Sequence, residues 1–81
     1  MKNVTIYSTP TCHFCHMAKE FFKKNNIAFT DYDVSTNQAK RAEMIEKSGQ
    51  MGVPVIFIDD EVVIGFNESE LKQMLVINSS N

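Results

Sequence analysis

Only two cysteines, no tryptophan, two prolines and three glycines occur among the 81 residues. Small secreted domains are usually stapled by about four or more cysteines, so this scarcity argues against an extracellular disulfide framework. No apolar run approaches the roughly 18 residues that a membrane span needs. Met1-Lys2-Asn3 leads straight into a strand pattern without the apolar core of a secretory signal, and a reducing, cytoplasmic setting is therefore expected. The net charge is −2 and no basic stripe is present. The pattern excludes the electrostatic footprint of a nucleic-acid binder, and neither nucleic acid nor membrane is an expected partner. With 43% hydrophobic residues the chain can form a modest core. One domain over 1–81 is expected, with 77–81 as a frayed tail.

The two cysteines that are present stand three apart, where a strand gives way to a helix. The local string is Val4-Thr5-Ile6-Tyr7-Ser8-Thr9-Pro10-Thr11-Cys12-His13-Phe14-Cys15-His16. Its first part is β-branched and aromatic, and the residues after Cys12 carry apolar side chains at a period near 3.6. A thiol at the start of a helix faces amide N–H groups that lack an intrahelical partner, together with the positive end of the helix dipole. Both favour thiolate, the nucleophile of disulfide exchange. A second thiol one turn on can attack the mixed disulfide so formed. The spacing points to dithiol redox chemistry.

The rest of the chain punctuates clearly. A strand is expected over about 3–7, and a helix over about 13–25 with Phe14, Met17, Ala18, Phe21 and Phe22 on its core face. Asn25 and Asn26 end that helix. A second strand follows at about 28–34, and Ser35 with Gln38 three residues later reads as a capping box for a second helix. That helix passes through Ala39, Ala42, Met44 and Ile45 and stops at Ser48-Gly49. Val55-Ile56-Phe57-Ile58 and Glu61-Val62-Val63-Ile64, joined by Asp59-Asp60, form an antiparallel hairpin. After Gly65-Phe66, Asn67 caps a last helix whose core face is Leu71, Met74 and Leu75. The order β-α-β-α-β-β-α, with helix-separated strands pairing in parallel, gives a four-stranded mixed sheet flanked by three helices in an α/β fold.

That order, together with Ile6-Tyr7-Ser8, Cys12-His13-Phe14-Cys15, Gly52-Val53-Pro54 and Gly65-Phe66, resembles the glutaredoxins of the thioredoxin fold over about residues 3–76. The Gly-Phe pair is similar to that of the NrdH-type redoxins and the small bacterial glutaredoxin-like proteins. The chain departs from the commoner pattern in three places. His13-Phe14 replaces Pro-Tyr, Thr9 replaces a lysine that binds a glutathione carboxylate, and Gly65-Phe66-Asn67-Glu68 replaces Gly-Cys-Asp-Asp. The resemblance implies thiol–disulfide oxidoreductase activity on protein disulfides and glutathione mixed disulfides, without a bound cofactor and with glutathione as co-substrate. It also implies a cis bond before Pro54 that leaves the Val53 backbone free to pair with substrate beside Cys12.

Within that reading Cys12 is the attacking sulfur and Cys15 the resolving one. A free thiol of pKa ~8.5 is only about 3% ionised at pH 7. A favourable helix terminus, at up to ~2 kcal/mol, brings it near 7. Thr9, Thr11, His13, Phe14, Gly52, Val53, Pro54, Gly65, Phe66, Asn67 and Glu68 are the candidate substrate- or glutathione-binding residues. His13 reads equally as a charge that tunes Cys12 and as an inert exposed ring, and Phe14 as core or as contact. His16 reads as an ordinary helix residue and Lys19 as a solvated one. Cys12-His13-Phe14-Cys15-His16 also satisfies the CxxCH haem spacing, but haem attachment needs an exported protein. Structural zinc wants four ligands, and no distant Cys/His pair supplies them, so no metal site is expected.

Two further readings stay open beside the enzyme. One is an electron donor serving a partner such as ribonucleotide reductase and recharged by thioredoxin reductase. The other is an iron–sulfur or metal carrier that bridges two chains. A monomer acting on disulfide-containing or glutathionylated proteins is the principal expectation.

Overall fold

A computed structural model describes residues 3–75; the 77–81 tail lies outside them. The elements are β1 (Val4–Ser8), α1 (His13–Lys24), β2 (Thr30–Asp33), α2 (Gln38–Ser48), β3 (Val55–Ile58), β4 (Glu61–Ile64) and α3 (Glu68–Met74). The strands form one sheet in the order β2-β1-β3-β4. β1 pairs parallel with β2, placing Ile6 opposite Asp31, and antiparallel with β3, placing Ile6 opposite Ile56. β3 and β4 form the antiparallel hairpin, with Ile56 opposite Val63. The expectation that helix-separated strands pair in parallel holds for β1 and β2 and fails for β2 and β3, which are not neighbours. Burial explains the difference: β1 and β3 are covered on both faces, whereas Thr30 and Asp31 of β2 are exposed, so β2 sits at an edge.

Strand alternation divides the core into two layers. Val4, Ile6, Ile56, Ile58 and Val63 meet Ala18, Phe21, Phe22 and Leu71 from α1 and α3. On the opposite face Tyr7 and Val55 pack with Val34, which follows β2, and with Met44 of α2. The α1 core face is therefore Cys15, Ala18, Phe21 and Phe22. Phe14 and Met17, expected on that face, are 56% and 39% exposed. The buried stripe runs through 15, 18 and 22, one turn apart each time, and its centre passes beside 14 and 17.

The ends of the elements follow local chemistry. The capping box predicted at Ser35 is displaced by two residues. Asn37 is the N-cap, its side chain accepting from the Lys40 N–H at 3.0 Å. Ser35 is occupied elsewhere, its N–H and hydroxyl both donating to Asp33 Oδ1. Those bonds, the hydroxyl's first, hold the Asp33 carboxyl below the usual range. Gly49 closes α2 at φ 72°, a left-handed conformation that only glycine adopts cheaply. Asn67 caps α3 as expected, accepting from the Glu70 N–H at 3.1 Å. The hairpin turn is tied to the start of β1 by Asp59 N–H to the Asn3 carbonyl at 2.8 Å and Asn3 N–H to Asp59 Oδ1 at 2.9 Å.

Candidate active site

β1 ends at Ser8, and the chain must turn from strand to helix within four residues. Pro10 and the bond from Cys12 N–H to the Thr9 carbonyl, 3.3 Å, make that turn. Cys12 emerges as the N-cap of α1, in extended conformation at φ −89°, ψ 113°. Its sulfur takes the part a serine oxygen plays at other helices, accepting the Cys15 N–H at 3.1 Å. The expected first-turn thiol is thus a capping thiol, with an orphan amide aimed at it. Cys12 is partly exposed, whereas Cys15 has no exposed surface. The two sulfurs are joined as a disulfide, with Cα atoms 5.2 Å apart. Cys12 is therefore the sulfur open to solvent and facing an amide, and Cys15 the covered one a turn along.

The other candidate residues fall into three groups. Thr9 is half-buried and Thr11 exposed in the turn before Cys12. His13 and Phe14 open the helix in solvent, with ring centroids 5.6 Å apart. Phe14 is therefore not core. Pro54 is buried and its bond to the half-buried Val53 is cis; Gly52 is exposed. Gly65, at φ 80°, donates its N–H to the Pro54 carbonyl at 2.9 Å, fastening the β4–α3 turn to the cis segment. Phe66 packs edge-on against Phe21 of α1, 6.0 Å between centroids, and Glu68 pairs with Lys72 at 3.3 Å. A groove of about 700 Å³ runs beside α1 and brings together His13, His16, Met17, Phe21, Phe66 and Glu68. Thr9, Thr11, Phe14, Val53, Pro54 and Asn67 do not line it.

Two residues read as ordinary have partners. His16 Nε2 lies 2.8 Å from the Pro10 carbonyl, which requires an N–H at that nitrogen and closes a ring around the CxxC segment. Lys19 is not free in solvent: its ammonium lies 2.9 Å from Asp31 Oδ2. The register that would have disclosed the second contact, Asp31 beside Ile6 and on the face of Ser8, depends on pairing that spacing alone does not fix. Among the described residues no three His, Cys, Asp or Glu side chains converge as a metal site, and no helix is long and apolar enough to cross a membrane.

A glutaredoxin family model matches residues 4–63. A glutaredoxin-like 8.6 kDa protein of the rubredoxin operon of Clostridium pasteurianum is 44% identical, over 89% of this chain and 96% of its own length. Glutaredoxin 3 of Escherichia coli is 41% identical, over 84% of this chain and 82% of its own length. The solved structure of a mutant of the thioredoxin-like protein BC3987 superposes with a TM-score of 0.90 at 37% identity, covering 96% of this chain and all of the other. Fold, CxxC geometry and kinship agree: this chain belongs to the glutaredoxin family of thiol–disulfide oxidoreductases.

Proposed function

We propose that the chain reduces protein disulfides and glutathione mixed disulfides in the cytoplasm, as a monomer, with glutathione returning the electrons. The observation that carries this is the asymmetry of the cysteines: a partly exposed Cys12 facing an amide and a fully covered Cys15. Cys12 thiolate attacks one sulfur of the substrate disulfide. A Cys12–substrate mixed disulfide forms, and the other substrate sulfur leaves as a thiolate that takes up a proton. Cys15 then loses its proton and attacks Cys12, closing the intramolecular disulfide and freeing the second substrate thiol. Two glutathione thiols reopen that bond and become glutathione disulfide, so two electrons pass in each half-cycle. The N-terminal amides of α1 stabilise the developing sulfur charge, and the Val53 backbone beside the cis bond is the candidate rail for an extended substrate.

A second reading, recharging by thioredoxin reductase in service of a partner such as ribonucleotide reductase, is favoured by one feature. Thr9 brings no cation, and α3 opens with Glu68 and Glu70, so the mouth is poor in positive charge for glutathione carboxylates. Oxidised protein is to be reduced with glutathione and, separately, with NADPH and thioredoxin reductase. Faster turnover with glutathione, improved further by Thr9→Lys, supports the first reading; turnover with the reductase alone supports the second. Cys15→Ser should retain exchange with glutathione mixed disulfides and trap a Cys12-linked protein substrate. Loss of both activities would overturn the division of labour.

A further inference from the structure

The region beneath the cysteines holds charge that the exchange cycle does not use. Ser8, the last residue of β1, is 1% exposed and donates its hydroxyl to Asp31 Oδ1 at 2.7 Å. Asp31 Oδ2 receives the Lys19 ammonium at 2.9 Å, and the lysine side chain is only 19% exposed. Three elements are thereby linked: β1 four residues before Cys12, β2, and α1 four residues after Cys15. Positions 15 and 19 lie on one face of the helix, about 5–6 Å apart at Cβ. A cation and an anion are thus paired on the helix face that carries Cys15, one turn further along α1, so that each offsets the other's charge. Among the described residues Asp33 also faces Lys19, and its carboxylate is already taken up by Ser35.

We propose that Lys19 and Asp31 are positioning residues that set the reduction potential of the Cys12–Cys15 couple by holding its surroundings close to neutral. The inference rests on the dithiol reading above. Reducing the disulfide creates a Cys12 sulfur that is partly anionic, so an unbalanced cation nearby favours the reduced form and an unbalanced anion favours the disulfide. Removing the carboxylate and removing the ammonium must therefore move the equilibrium in opposite directions. Loosened packing cannot produce that signature, because both substitutions loosen the same contact.

The full chain is equilibrated with reduced and oxidised dithiothreitol at pH 7, and the reduced fraction is read by alkylation and mass spectrometry. Dithiothreitol gives up two electrons and closes to its cyclic disulfide. The Cys12–Cys15 bond accepts them, and protons go to Cys15 and to the un-ionised part of Cys12. Asp31→Asn keeps an acceptor for Ser8 and leaves Lys19 unbalanced; the equilibrium should shift roughly two- to twentyfold toward the dithiol, the range for one unit charge at ~10 Å as the effective dielectric runs from ~80 down to ~20. Lys19→Met should shift it by a similar factor toward the disulfide. The double variant should return near the starting value, and Lys19→Arg should stay there. Single shifts of the same sign, or none, overturn the proposal. So does a Lys19→Arg shift matching that of Lys19→Met, a comparison that remains available if Asp31→Asn fails to fold. A wild-type protein with no reversible Cys12–Cys15 couple would instead overturn the redox reading beneath it.

Discussion

Leu71→Ala tests how the smallest element is held. α3 has seven residues, Glu68–Met74, too few to persist as a helix without tertiary contacts. Leu71 is its one fully buried side chain, with no exposed surface, seated in the layer formed by Ile6, Phe22, Ile58 and Val63. Truncating a buried leucine removes its transfer energy and leaves a cavity, at a cost of about 2–5 kcal/mol. A chain of this size holds roughly 4–12 kcal/mol in all. Because Phe66, Met74 and Leu75 are only partly buried and can relax into the gap, we expect about 3 kcal/mol, or a melting point lower by roughly 12–24 °C. Equilibrium urea unfolding, followed by far-ultraviolet circular dichroism, measures this, with exposed Lys72→Ala as the comparison at under about 0.5 kcal/mol. A loss below about 1 kcal/mol for Leu71→Ala would refute the packing described for α3.

The polar contacts lead to further outcomes. The Tyr7 hydroxyl donates to Glu43 Oε2 at 2.5 Å, and that bond first, then Lys40, holds the Glu43 carboxyl below its ordinary value of 4.5. A depressed folded pKa gives stability that is present above the unfolded value and lost as pH falls through the folded one. Tyr7→Phe should therefore destabilise at pH 7 and less so below pH 4.5, read from urea midpoints across pH; an equal loss at every pH contradicts the assignment. Burial, then the Glu43 bond, pushes the Tyr7 hydroxyl itself far above the usual tyrosine range, so it should ionise only as the protein unfolds in alkali. Asn37→Ala should cost about 1 kcal/mol through loss of the α2 cap. A larger cost for Ser35→Ala would restore the capping box to Ser35.

The order of elements, the hairpin and the two cysteines were legible because each rests on a local signal. Those signals were the change of period after Ser8, the Asp59-Asp60 connection and the glycine after Ser48. Three readings needed tertiary information. Ser35 and Asn37 both suit a cap, and the choice was made by the Asp33 carboxylate, which engages Ser35 first. Phe14 and Met17 fit a helical stripe, but the stripe is centred on Cys15, Ala18 and Phe22, which only docking on the sheet reveals. Lys19 reads as solvated because its partner comes from β2, in a register that spacing does not supply. The closeness of the two thiols follows from their spacing, whereas their surroundings do not: His16, bonded to Pro10, gives no signal beyond its place after Cys15.

Dithiol exchange at this site requires Cys12 to be ionised near neutrality by the amide that caps onto it. In reduced protein, the rate of Cys12 alkylation by iodoacetamide, followed from pH 4 to pH 10 with Cys15→Ser to isolate the signal, measures this directly. The expected midpoint is about 7 or lower, against ~8.5 for an unstructured thiol. A midpoint at the unstructured value would contradict the account, because the α1 amides would then do nothing for the sulfur they face.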